Sequence, residues 1–298
     1  MGSSEPEDGG RGPIESAEEW IAASSYLTTS SGHRIAYQRR GRGPAIILLH
    51  GFPTWSYDYA AIAQDLAIDH TVIAIDFLGY GASDKPRGHQ YTVGASADTV
   101  AAVLEHEAIE EARLVVHDYG GIVGQEILDR HRRGALPYSI SAVDILNCGI
   151  VYTAYRPTRV QQALSTPVVG ALFARLLSRR TLKRAVDSVR GQAISAAEFD
   201  ELWVGIARGN GHHIADRLLG YNAERTVHHT RWEAALRDWN GPLHLIWGLA
   251  DPVSGAHVLH AAQGQLPHAR ITRLDDVGHF PQSEAPEAVL AALRSTPR

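Results

Sequence analysis

Three titratable residues stand where they could form one reaction centre: Asp118 in Val116-His117-Asp118-Tyr119-Gly120-Gly121, Asp251 in Gly248-Leu249-Ala250-Asp251-Pro252, and His279 in Val277-Gly278-His279-Phe280. Asp118 follows the short apolar run Arg113–His117 and precedes a helical pattern. A strand running through a sharp turn into a helix can hold a nucleophile at its apex, provided small residues follow, and here two glycines lie just beyond. No serine is near enough to take the place of Asp118. A carboxylate needs no deprotonation before attack and forms an ester with an alkyl carbon. That chemistry suits displacement at sp³ carbon, opening an epoxide or expelling a halide. It suits ester or amide hydrolysis poorly, because attack there would give an anhydride.

The other two residues supply the second half of such a reaction. His279 is expected to deprotonate the water that hydrolyses the Asp118 ester, with Asp251 orienting the ring and stabilising the imidazolium. A fourth segment, His50-Gly51-Phe52-Pro53, follows the apolar run Pro44–Leu49. The backbone N–H groups of Phe52 and Tyr119 are the expected oxyanion donors. Asp144 is a rival acid, but it lies inside the run Ser139–Leu146 rather than at its end, where Asn147 stands. Asp76 and Asp84 in Asp-Phe-Leu-Gly-Tyr-Gly-Ala-Ser-Asp read as residues that fix loop geometry. His50, Trp55, Tyr152, Tyr155, Trp203 and Phe280 are the candidates for contact with a substrate, and His50 also reads as a hydrogen-bonding support.

The elements that must place these residues alternate. Pro44–Leu49, His70–Asp76, Arg113–His117, Ser139–Leu146 and Leu243–Trp247 are short apolar runs, as expected of strands buried on both faces. Ala269–Leu274 is a weaker one, and Ser24–Arg39 reads as a hairpin. Helical patterns over 56–68, 93–108, 122–132 and 286–293 lie between them. Strands alternating with helices imply βαβ units and a mostly parallel sheet. The rhythm breaks over 149–238, which is expected to be a helical cap dividing the core into 18–148 and 239–298. Its basic residues, such as Arg175, Arg179, Arg180, Lys183 and Arg184, read as a solvated helix face.

Composition excludes several classes. The 298 residues carry a formal net charge of −5, with 44% hydrophobic and 20% charged residues, which is globular and gives no electrostatic reason for a nucleic-acid partner. The single cysteine, Cys148, rules out an internal disulfide. Sixteen histidines raise the question of a metal, but no His-Glu-x-x-His occurs and none is expected. The start, Met-Gly-Ser-Ser-Glu-Pro-Glu-Asp-Gly-Gly, has no apolar core of a signal peptide, and residues 1–17 read as a disordered tail. No apolar run is long enough to span a bilayer. The expectation is a cytoplasmic monomer or homodimer without cofactor or membrane partner, acting with water on a small apolar molecule.

Together and in this order, the segments at 50–53, 76–86, 115–121, 247–254 and 277–287 resemble the α/β-hydrolases of the group holding epoxide hydrolases and haloalkane dehalogenases. His117–Arg130 and Glu224–Leu236 also look like the mesoderm-specific transcript branch. The resemblance implies an α/β-hydrolase fold and the order nucleophile, acid, histidine. It implies a ring-opening acid at Tyr221, because Tyr221-Asn222-Ala223-Glu224-Arg225 resembles the Tyr-x-x-x-Glu-Arg segment of epoxide hydrolases, with one residue fewer between Tyr and Glu. Their second cap tyrosine has only positional counterparts here, Tyr152 and Tyr155. Dehalogenases of the group usually carry Trp after the nucleophile and often Asn after His-Gly; here those residues are Tyr119 and Phe52. The first expectation is therefore an epoxide hydrolase releasing a vicinal diol. The alternatives are a dehalogenase with an atypical halide site, or a ligand-binding or ring-closing protein on the same scaffold.

Overall fold

A computed structural model describes residues 14–296 except Pro167. Eight strands form one sheet in the order β1-β2-β4-β3-β5-β6-β7-β8. They are β1 (Ser25–Thr28), β2 (Arg34–Arg40), β3 (Ala45–Leu49), β4 (Thr71–Ile75), β5 (Glu111–His117), β6 (Ser139–Leu146), β7 (Leu243–Gly248) and β8 (Arg270–Leu274). The hairpin β1–β2 and the pair β2–β4 are antiparallel; every other pair is parallel. All five residues of β4 and all six of β7 are buried, so apolar runs without alternation became strands covered on both faces.

Four helices precede the break in rhythm: α1 (Ala17–Ala22), α2 (Ala60–Leu66), α3 (Val93–His106) and α4 (Tyr119–Arg132). The tail expected over 1–17 falls largely outside the described residues. Its last part is held: Glu15 pairs with Arg40, the Ser16 side chain caps α1, and Ala17 N–H donates to Glu201 at 2.6 Å. A capping box, Ser16 with Glu19, starts α1 earlier than its apolar residues suggest. Likewise α4 starts three residues before the expected Ile122, because Gly120 and Gly121 lie in its first turn.

Six helices fill the segment between β6 and β7: α5 (Arg159–Leu164), α6 (Val169–Arg175), α7 (Arg179–Asp187), α8 (Ala196–Ala207), α9 (Ala215–Leu218) and α10 (Tyr221–Arg237). They do not all lie over the strand ends. The length of α10 packs along α4 beside the sheet. Trp232 Nε1 donates to Glu126 at 2.8 Å, and Arg231 pairs with Asp129 at 2.6 Å. These buried α4 carboxylates require partners, and α10 provides them. The chain closes with α11 (Ala256–Gln265), α12 (Pro281–Glu284) and α13 (Pro286–Arg294). No helix among the described residues is long and apolar enough to cross a membrane.

Candidate active site

The chain leaves β3 toward β4 on one side and leaves β5 toward β6 on the other, so the crevice beyond their carboxyl ends is a topological switch point. Leu49 pairs with Val116 in the β3–β5 ladder, which sets Gly51 beside Asp118. Asp118 has φ 44° and ψ −109°, a strained conformation for a residue with a side chain. The turn closes because Gly120 lies against the backbone of Leu49 and Gly121 against Cys148; a Cβ at either would collide. Gly120 N–H donates to His50 O at 2.9 Å, and the Cys148 thiol donates to Asp118 O at 3.1 Å.

Asp118 Oδ2 accepts from Phe52 N–H at 2.9 Å, and Oδ1 lies 3.7 Å from His279 Nε2. His279 Nδ1 is 2.7 Å from Asp251 Oδ2. That oxygen also accepts from Ser254 Oγ at 2.7 Å and Asn147 Nδ2 at 3.0 Å, while Val253 N–H donates to Oδ1 at 2.7 Å. Tyr119 opens α4, so its N–H is among the amides without an intrahelical acceptor.

Burial opposes charge on all three side chains, and their neighbours reverse it. His279 is pushed well above the usual histidine range, because the Asp251 and Asp118 carboxylates outweigh its burial. Burial raises Asp251, but the His279 charge and hydrogen bond, with Asn147 and Ser254, hold it well below the carboxylate range. Asp118 is lowered in the same way: burial raises it, and the His279 hydrogen bond and charge, with the Phe52 N–H, prevail. His117 donates from Nε2 to His279 O at 2.7 Å and stays neutral, lowered to about 3 by burial and the His279 charge.

Above Asp118 the phenol hydroxyls have no partner outside their own set. Tyr80 Oη is buried without a hydrogen-bond partner among the described residues, and Tyr221 Oη and Tyr155 Oη, also buried, have none there but each other. All three phenols are pushed up by burial and also by the Asp118 charge. Tyr221 sits 4.9 Å from Tyr119, ring to ring, and Tyr80 stacks on Tyr119 at 6.0 Å. Each residue in Tyr221-x-x-Glu224-Arg225 has its own attachment. Glu224 accepts from Val93 N–H at 3.0 Å, at the start of α3. Arg225 donates to Gly149 O at 2.7 Å and places its guanidinium 4.1 Å over the Tyr155 ring, where its charge counters the rise of both phenols.

The remaining candidates divide. Tyr155 belongs with Tyr221, whereas Tyr152 stacks on His229 at 4.5 Å, away from it. Trp55 donates its indole N–H to Leu202 O at 3.0 Å, which leaves no indole hydrogen for a ligand and ties the loop after β3 to α8. Trp203 packs on Phe199 and His212. His50 donates from Nδ1 to Gly51 O at 2.9 Å and accepts from Phe77 N–H at 3.2 Å, so both nitrogens hold loops in place. Asp76 does the same, accepting from Ser56 N–H and Ala82 N–H, and Asp84 accepts from Arg34 N–H. Asp144 is sealed away from the site in a fork with Arg113 at 2.6 and 2.9 Å. Phe280 stands edge-on to His279 and, with it, lines a narrow apolar cleft between α5 and α7. No group of three metal-binding side chains occurs among the described residues.

A sequence profile described as "Alpha/beta hydrolase family" matches residues 46–292. The chain belongs to the alpha/beta hydrolase family. Within that family it is 34% identical over 282 residues to the putative hydrolase LipZ of Mycobacterium tuberculosis, covering 94% of this chain and 97% of that one. It is 36% identical to the human mesoderm-specific transcript homolog protein, over 92% of this chain and 85% of that one. Solved alpha/beta hydrolase structures with the same fold include a haloalkane dehalogenase from Agrobacterium tumefaciens. It has a TM-score of 0.76 at 21% identity and covers 91% of this chain and 95% of that one. The epoxide hydrolase CorEH gives 0.73 at 17% identity, with 91% and 96% covered. Sequence reading missed Tyr80, Ser254 and the service of Asn147 to Asp251. Tyr80 lies inside a segment noted for its glycines, and nothing local marks its ring as facing Asp118.

Proposed function

We propose that the protein is an epoxide hydrolase that works through a covalent ester on Asp118. The observation that carries this reading is the set of buried phenols near the Asp118 carboxylate whose hydroxyls have no partner outside the set. A buried hydroxyl without a partner costs about 1–3 kcal/mol, so a group of them implies an oxygen that arrives with the substrate. In the first step Asp118 Oδ1 forms a bond to an epoxide carbon, that carbon–oxygen bond breaks, and Tyr221 gives its proton to the leaving oxygen. Tyr155 donates a hydrogen bond to the same oxygen. The Arg225 charge beneath Tyr155 lowers the cost of the phenolate left behind.

In the second step His279 takes a proton from water and hydroxide adds to the ester carbonyl carbon. The oxyanion forms on Oδ2, where Phe52 N–H already donates and Tyr119 N–H is expected to join it. Collapse expels the diol as the proton of the added hydroxyl passes to the leaving oxygen, and it restores the Asp118 carboxylate and leaves His279 protonated, as at rest. Epoxide and water are consumed and one vicinal diol is produced. Resting His279 is held protonated by two carboxylates, and esterification removes one of them. Its proton affinity therefore falls, its proton passes to the Tyr221 phenolate, and the neutral imidazole is free to take the proton of water. The helices over the strand ends, from Gly149 onward, serve as the cap in this reading.

The test is His279→Gln, incubated with pooled terminal epoxides and separately with bromoalkanes, followed by intact mass and mapping of the Asp118 peptide. An adduct equal to the whole epoxide is the expected result. An adduct equal to the bromoalkane less HBr, without one from epoxides, would move the function to dehalogenation. No adduct from either pool would overturn the covalent reading.

A further inference from the structure

Half of the large apolar side chains exposed among the described residues lie within 168–176. Val168 is 84% exposed, Val169 57%, Leu172 61% and Leu176 71%. Their spacing puts them on one face of α6, whose opposite face buries Gly170 and Ala174. Protruding aliphatic side chains grouped in this way mark a surface that meets something apolar.

The chain on either side of that face is one-sided in charge. From Arg156 to Val186 the chain contains no Asp or Glu, and Arg156, Arg159, Arg175, Arg180 and Arg184 are exposed. Among the described residues none of these five has an acidic partner, whereas Arg179 and Lys183 pair with Asp200 and Asp187. The whole chain carries −5, so this positive charge is concentrated against the general balance. The same helices border the site. The cleft to His279 and Phe280 is walled by Val160 and Leu164 of α5 and by Leu182 and Val186 of α7, and α6 packs on α5.

We infer that this surface docks the protein on an anionic lipid bilayer. Val168, Val169, Leu172 and Leu176 enter the interface, and the unpaired arginines meet lipid phosphates. Exposed apolar side chains accompanied by unpaired cations are a combination that binds at such an interface, and each cation near it strengthens binding roughly fivefold. An acidic protein partner would match the charge, but side chains exposed this far project into a fluid phase more readily than they fill a preformed pocket. Docking brings the cleft to the lipid surface, so an apolar substrate passes from bilayer to site without crossing bulk water. That consequence rests on the proposed epoxide chemistry; the docking itself does not.

The experiment is sedimentation of the full chain with vesicles, which requires no turnover. Vesicles of phosphatidylcholine alone are compared with vesicles containing about a third phosphatidylglycerol, at low salt and at about 0.5 M. The protein should bind the anionic vesicles, leave the neutral ones, and be released by salt. L172E/L176E should weaken binding at least tenfold. R175Q/R180Q/R184Q should weaken it roughly a hundredfold, from three charges at about fivefold each. Both variants should keep the parent's melting curve, since the altered side chains are exposed. Absence of binding to either vesicle, or binding that neither variant changes, would overturn the inference. A concentration-dependent dimer lost in L172E/L176E would also overturn it, by assigning the face to a second copy of the chain.

Discussion

Below the proposed site, Asp118, Asp251 and His279 follow β5, β7 and β8 in that order, and the Asp251 carboxylate and the His279 Nδ1 are met by named donors and acceptors. Above it, Tyr155, Tyr221 and Tyr80 bring hydroxyls with no partner outside their own set. The floor is held by groups separated by more than a hundred residues, such as Asn147 Nδ2 on Asp251 at 3.0 Å. The roof draws on three segments: Tyr80 follows β4, Tyr155 follows β6, and α10, fastened to α4 by Trp232 and Arg231, brings Tyr221 and Arg225. The contrast teaches that the charged half of the site is organised by the fold alone, while the half proposed to donate protons has polar atoms that the fold leaves open.

Substitutions on the floor should break activity most. Asp118→Ala should lower kcat/KM by about 10⁴-fold or more, with the far-UV spectrum unchanged, because no neighbouring group replaces the nucleophile. Residual turnover within tenfold of the parent would remove the carboxylate from the mechanism. Substitutions on the roof should cost less activity and no stability. Tyr221→Phe should reduce the rate of Asp118 ester formation by about 10²–10⁴-fold, the usual range for a general acid. Its melting temperature should hold or rise, since a buried hydroxyl costing about 1–3 kcal/mol is removed. A clear drop in melting temperature would place Tyr221 among the structural groups of the floor.

The supports of the floor should behave in the opposite way. Asn147→Leu should destabilise the fold by about 1.5–3 kcal/mol in denaturant titrations, because a hydrogen bond to the Asp251 carboxylate is lost. The smallest effect is a change in pH dependence. The His279 cation lowers the Asp118 carboxyl, so single-turnover ester formation should stay flat down to about pH 4. In His279→Gln that cation is gone, the Asp118 pKa rises, and the acid limb should move to higher pH. Coincident acid limbs in quenched-flow measurements would show that the two residues are not electrostatically linked.

Much of this was legible along the chain. Apolar runs without alternation marked the parallel strands, because a strand covered on both faces has no polar side to display. The glycines after Asp118 marked the turn, because a side chain there would strike β3 or Cys148. Tyr155 was one of two positional counterparts; Arg225 lies over both rings, and what separates them is that the Tyr155 hydroxyl meets Tyr221 while the Tyr152 ring stacks on His229. The expected 149–238 cap was read as one body because its helices share a lack of strand runs. Sequence does not record that α10 faces the α4 carboxylates.

The sequence by itself determined the order of the strands along the chain, the residue type at the apex of the turn and the chemistry that type permits. These are local properties, fixed by side-chain polarity and by which backbone angles each residue tolerates. Only the tertiary structure decided that Asn147 and Ser254 hold Asp251, that Trp55 spends its N–H on Leu202, and that the Tyr80, Tyr155 and Tyr221 hydroxyls are buried within reach of the Asp118 charge and have no partner outside their own set. Those facts depend on distances between segments far apart in sequence, and such distances are set by how the helices pack on the sheet.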